Sequence, residues 1–187
     1  MKRVLLVIND GSINRLGYLK WGLVPSWAKD EKIGYKLINA RAESLADKPS
    51  FRNAYQNRRC LIIADSFYKW KRNGDSKIPM RIKLKSDELF AMAGLWEAWT
   101  SPQGNKLYTC TIITTDANEI VAPIHERMPA ILPRQNEAQW LNPAVHDVTE
   151  LSQLLKPFDE LLMEAYEVSA AVNSPKQNNA DLLKRIG

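Results

Sequence analysis

A succession of short apolar or alternating runs, each cut off by a turn cluster, constrains this chain more than any other feature of its sequence. Cys60 to Ala64 is a continuous apolar run of the length and composition of a central strand. Met80-Arg81-Ile82-Lys83-Leu84-Lys85 alternates strictly, so it reads as a strand with one core face and one basic, solvent-facing face whose lysines serve solubility. Leu89 to Trp96 and Leu107 to Thr114 give further strands around the turn Ser101-Pro102-Gln103-Gly104-Asn105. Lys2 to Ile8 reads as a strand closed by Asn9-Asp10-Gly11-Ser12, and Leu19 to Trp27 as a short strand passing into a Pro/Trp loop. Phe67 to Lys71 places Lys69 on the face opposite Tyr68 and Trp70, and Met128 to Leu132 and Ala165 to Ser169 complete the strands.

Helices are expected over Ser50 to Asn57, Arg134 to Leu141 and Thr149 to Leu155, the last capped by Thr149. Another should follow Leu37 to Ser44, and one should close the chain over Ala180 to Ile186. No repeat or linker interrupts the pattern. The fold class expected is α+β, a single domain over residues 1–187 with a dominant, mostly antiparallel sheet and peripheral helices.

Composition narrows the function. Hydrophobic content of 45% and charged content of 25% are those of a globular protein with a sizeable core. No run is long enough to span a bilayer, and the opening Met1-Lys2-Arg3-Val4-Leu5-Leu6-Val7-Ile8 has too short an apolar stretch, and no cleavage site, for a signal peptide. A cytoplasmic monomer without a membrane partner is the expectation. Cys60 and Cys110 sit in apolar, β-like surroundings and read as reduced core thiols sooner than a disulfide, metal site or nucleophile. Nothing calls for a metal or an organic cofactor. A net charge of +5 tolerates a nucleic-acid partner without demanding one. The six tryptophans suit unpaired bases, although most are expected in the core.

The stretch with most chemistry is Pro123-Ile124-His125-Glu126-Arg127-Met128-Pro129, where a proline at each end restricts the backbone around His125. Such a histidine can move a proton while Arg127 grips a phosphate or carboxylate; the same heptapeptide also fits a capped turn whose His125 merely packs. Asn39 stands where it can cap a helix, or orient a reacting group while Arg41 reaches one turn along towards a phosphate. Trp27, beside a proline-bearing loop and Lys29, is either a stacking platform or an aromatic packed under the loop.

Taken in order, Trp21-Gly22-Leu23-Val24-Pro25-Ser26-Trp27, Ile38-Asn39-Ala40-Arg41-Ala42-Glu43, Ala64-Asp65-Ser66-Phe67-Tyr68-Lys69-Trp70-Lys71, Ile124-His125-Glu126-Arg127-Met128-Pro129 and Val172-Asn173-Ser174-Pro175 resemble the SOS-response-associated peptidase (SRAP) family, the abasic-site processing proteins. The resemblance implies a curved sheet and binding of single-stranded DNA with abasic sites. It also implies covalent capture of the lesion's aldehyde by a cysteine that follows the initiator methionine. Autopeptidase removal of that methionine frees an α-amine, which forms a Schiff base, and the thiol then closes a thiazolidine. An α-amine suits the step because its reference pKa is about 8, against about 10.4 for lysine. By the same resemblance Asn39 orients the terminal residue, His125 moves protons, Arg41 and Arg127 hold the DNA backbone, and Trp27 stacks on it.

The chain departs from this pattern twice. It begins Met1-Lys2-Arg3 where the family begins Met-Cys-Gly-Arg, so the expectation is a copy without its N-terminal nucleophilic segment, which neither Cys60 nor Cys110 replaces. Lys69 stands where the family motif Phe-Tyr-Glu-Trp has a glutamate, and an ammonium donates but does not accept protons. Impaired capture follows, leaving a non-catalytic single-stranded DNA binding module as the alternative. A competing reading has crowded positive charge lower the Lys69 pKa until its amine attacks the aldehyde, although an exposed lysine on a strand is normally inert.

Overall fold

The β-type runs become a sheet because their backbones find partners far along the chain. In the computed structural model, which describes residues 2–186, the chain forms two compact units. Met1, on which the expected start turns, lies outside the described residues. Of the described residues, the first unit comprises 2–63, Ala91–Thr115 and Pro129–Phe158, and the second Ala64–Phe90, Asp116–Met128 and 159–186.

In the first unit, β1 (Arg3–Asn9) and β2 (Asn14–Trp21) form an antiparallel hairpin. The second strand starts earlier than the sequence suggested, because the hairpin register from Asn9 opposite Asn14 to Arg3 opposite Lys20 engages its polar first half. β3 is Asn39–Arg41, β4 Arg59–Ala64, β7 Phe90–Thr100, β8 Lys106–Asp116 and β10 Ile131–Leu132. The strand order is β10-β7-β4-β1-β2-β8-β3, and β7 also pairs with β8, which closes β7, β4, β1, β2 and β8 into a ring. Most pairings are antiparallel; β2 and β3 meet β8 in parallel. The helices α1 (Arg52–Asn57), α2 (Arg134–Leu141) and α3 (Val148–Gln153) supply Tyr55, Trp140 and Leu151 to a core shared with Leu61, Leu95 and Ile113. The sheet tolerates no side chain at Gly94: a Cβ there would lie 2.8 Å from Ile62 Cδ1, 2.9 Å from Cys60 Sγ and 3.0 Å from the Thr111 carbonyl. Gly94→Ala should therefore destabilise by about 1–3 kcal/mol through overpacking, readable as a fall in the urea unfolding midpoint.

The second unit is built on β5 (Ser66–Asn73), β6 (Ser76–Leu84) and β11 (Met163–Glu167), antiparallel in the order β11-β6-β5. Phe67, Ile82, Val121, Met128, Met163 and Val168 are buried in it. Here the strict alternation of Met80 to Lys85 misled. Arg81 and Lys83 are buried, not solvent-facing. Arg81 donates to Ser66 Oγ at 2.9 Å and to the Tyr166 hydroxyl at 2.6 Å, and Lys83 pairs with Asp87 and with Glu164. Cover from β11 and its carboxylate turns a nominal surface into a partnered interior.

Other local expectations are corrected too. Asn39 does not cap a helix: it lies in β3, and only a 3₁₀ turn, Ala42–Ser44, follows. Thr149 is not the cap of α3, whose Thr149 N–H instead donates to Asp147. Met128 to Leu132 splits into β9 (Arg127–Pro129) and β10, and the closing helix is a 3₁₀ turn at Ala180–Leu183. Of the tryptophans only Trp99 and Trp140 are buried, while Trp27 and Trp70 are exposed. Cys60 and Cys110 are free and buried, as the sequence implied.

Candidate functional site

Each unit carries part of the residue set singled out from sequence. In the first unit, β8 gathers two of the motif segments along its length. Lys20 and Trp21 pair with its Thr109 and Cys110, and Asn39 to Arg41 pair with its Ile112 to Thr114. Gly22 adopts a φ of 120°, which disfavours any residue with a Cβ, and this turn lets its N–H donate to the Cys110 carbonyl at 2.8 Å. The Trp21 indole N–H then donates to the Ile38 carbonyl at 2.8 Å, tying the two segments together. On β3 the buried Ala40 lies between exposed Asn39 and Arg41, so strand alternation puts those two side chains on one face. Trp27 is 57% exposed on its loop, with its indole N–H 3.5 Å from the Pro49 carbonyl. It is a presented ring and not one packed beneath the loop.

In the second unit, Lys69, His125 and Arg127 come together. His125 ends a turn-rich segment anchored by buried Asn118 and Val121. Asn118 Oδ1 accepts the Val121 N–H at 3.1 Å, and the His125 N–H donates to the Val121 carbonyl at 2.9 Å. The segment closes where the Ala117 N–H meets the Glu126 carbonyl at 3.1 Å. His125 Nδ1 then accepts the Arg127 N–H at 3.0 Å, which assigns the proton of the neutral ring to Nε2. The Arg127 guanidinium pairs with Asp116 at 2.6 Å. Asp116 had no signal in the sequence: it stands eleven positions from its partner in a separate strand.

Lys69 shares a face of β5 with buried Phe67 and is half-buried, not the exposed strand lysine expected. Burial lowers its pKa, and the charge of Arg127 lowers it further. Partial desolvation of the otherwise exposed His125 lowers its pKa, and the Lys69 charge adds to the effect. Arg127 thus acts on Lys69 and Lys69 on His125, which puts the three groups in one electrostatic neighbourhood. Both thiols are pushed the other way by burial, Cys110 up to about 12 and Cys60 well above the usual thiol range, so neither supplies a thiolate. On the opposite face of β5 from Lys69, the Trp70 indole N–H donates to Asn173 Oδ1 at 2.7 Å, which gives the late Val172-Asn173-Ser174-Pro175 motif a structural task. Among the described residues no group of three or more His, Cys, Asp or Glu is placed to hold a metal, and no helix is long and apolar enough to cross a membrane.

A mostly antiparallel sheet with short peripheral helices places the chain among α+β proteins. It belongs to the SOS response associated peptidase (SRAP) family, whose model matches residues 1–175. The abasic site processing protein YoqW of Bacillus subtilis is 61% identical over 184 residues, 98% of this chain and 82% of that protein. The abasic site processing protein HMCES of Gallus gallus is 35% identical over 201 residues, 95% of this chain and 59% of that protein. A crystal structure of a Bacteroides thetaiotaomicron protein superposes with a TM-score of 0.92 at 33% identity, over 99% of this chain and 82% of that one.

Proposed function

We propose that this protein binds single-stranded DNA containing abasic sites and processes the lesion. The observation that carries the reading is the Lys69–His125–Arg127 cluster: a half-buried amine, a neutral imidazole and a guanidinium beside one another. An abasic site presents an aldehyde and flanking phosphates, the electrophile and the anion that such a cluster suits. Arg127 in the second unit and Arg41 in the first give sequence-independent affinity for the backbone. Trp27, presented on its loop, stacks on a base of any identity. The names of the relatives, abasic site processing proteins, support the same substrate.

In its full form the reading includes a thiazolidine crosslink made by a residue with both an α-amine and a thiol, freed by the protein's own peptidase step. Asn39 would orient that residue and His125 would move protons. Cys60 and Cys110 are not that residue, since both are interior strand residues with buried thiols. Lys69 in place of a carboxylate removes a proton acceptor, so thiazolidine formation is proposed to be weak in this protein. That substitution also favours the second reading, a binding module without catalysis.

Fluorescence anisotropy with a labelled single strand tests the first reading. A strand with one tetrahydrofuran abasic analogue should bind more tightly than the intact strand, and equal binding would refute lesion recognition. A denaturation-resistant adduct with an aldehydic abasic strand would exclude the binding-only reading.

A further inference from the structure

Among the buried and half-buried basic side chains of the second unit, Lys69 stands apart. Arg81 is held by Ser66 and Tyr166, Lys83 by Asp87 and Glu164, and Arg127 by Asp116. Lys69 Nζ makes no hydrogen bond or ion pair among the described residues. A lysine partly withdrawn from water without a carboxylate, beside a guanidinium, has no evident structural purpose, because a solvated lysine would cost the fold less. The same surroundings make an amine nucleophilic, as in Schiff-base lysines.

We infer that Lys69 is itself a nucleophile of this protein, joining through Nζ to the C1′ aldehyde of a ring-opened abasic sugar as an imine. The inference rests on the DNA reading above. Nζ adds to the carbonyl carbon, the carbonyl π pair moves to oxygen, and that oxygen takes a proton. The carbinolamine then loses its hydroxyl as water with a second proton, while nitrogen keeps one proton in the iminium. The proton lost from Nζ on addition offsets one of those taken up, so the net change consumes one proton and releases one water, with no redox partner.

The neighbours suit the step. His125 Nδ1 is occupied by the Arg127 N–H, which leaves Nε2–H as the donor the ring has for a developing alkoxide. Arg127 offers its guanidinium to a flanking phosphate. The depressed pKa of Lys69 increases the fraction of neutral amine near neutral pH. In this reading the lysine that replaces the family glutamate changes the attacking group and does not merely disable the site.

The test incubates the full chain with a single strand carrying one aldehydic abasic site in the presence of sodium cyanoborohydride, which reduces an iminium to a stable secondary amine. A crosslinked species should appear on a denaturing gel, and peptide mass mapping of the unmutated protein should place it on Lys69. Lys69→Arg keeps the positive charge but has no amine of this kind and should abolish the crosslink. Lys71→Arg, at an exposed position two residues on, should leave it in place. No crosslink, or one mapped to another lysine or to the chain's α-amine, overturns the inference; if the tetrahydrofuran strand still binds preferentially, lesion recognition survives that failure. Loss of preferential binding by the unmutated protein removes both.

Discussion

Arg59→Met should lower the unfolding free energy of this protein by about 3–5 kcal/mol, because several buried carbonyls lose their donor at once and each stranded acceptor costs about 1–3 kcal/mol. Arg59 is only 5% exposed and, among the described residues, has no carboxylate partner. Its guanidinium donates instead to the carbonyls of Tyr55, Gln56, Trp140, Asn142 and Val145 at 2.5–2.9 Å. Tyr55 and Gln56 end α1, and Trp140 and Asn142 end α2. Carbonyls in a last helical turn lack intrahelical donors, so one side chain caps two helices and holds both against β4. Methionine fills much of the volume but strands these acceptors away from water. A urea midpoint close to that of the unmutated protein would show the carbonyls finding other donors and would contradict this account of the core.

The second large effect concerns DNA. Arg127→Ala and Arg41→Ala should each weaken single-strand binding about tenfold or more at low salt, and each should make the salt dependence shallower by about 0.7 in log–log slope for every phosphate left without its cation. Arg127 carries a further consequence, because its charge is one of the two causes that lower the Lys69 pKa. Arg127→Ala should therefore raise that pKa as well as free a phosphate. Arg15→Ala, at the exposed hairpin beside Asp10, is the control and should leave affinity unchanged. Isotherms measured at several salt concentrations decide the matter, and unchanged slopes in both variants would exclude these arginines from the interface.

The sequence carried the strands well and the cover on them poorly. Cys60 to Ala64 and Leu107 to Thr114 were readable because their apolar composition is local. Whether a lysine on an alternating strand meets water is decided elsewhere in the chain. Lys83 is buried because Glu164 on β11 reaches it across some eighty positions of sequence. The helix that Asn39 could have capped is absent for a similar reason, since β8 claims its backbone and a capping preference cannot outweigh a strand pairing. Trp27 and Arg41 were legible as candidates because their motifs are contiguous. The grouping of Lys69, His125 and Arg127 came from motif resemblance, and no periodicity in the chain encodes it. Asp116, which pairs with Arg127, and the anchoring role of Asn118 had no sequence signature, because both depend on how one loop closes.

The NMR titration of His125, with and without DNA, bears most directly on the proposed lesion site. The chain has only two histidines, His125 and His146, so a single substitution assigns both. Partial desolvation and the Lys69 charge hold the folded pKa of His125 below the ordinary value of about 6.5. The stability tied to its neutral form is therefore complete above that pH and is lost as pH falls through the folded value. A bound phosphate offsets the neighbouring positive charge, so an abasic-analogue single strand should shift the His125 resonances and raise its midpoint, with the intact strand doing less and His146 staying still. An ordinary midpoint in the free protein, together with the same response to both strands, would contradict a lesion site built around Lys69, His125 and Arg127.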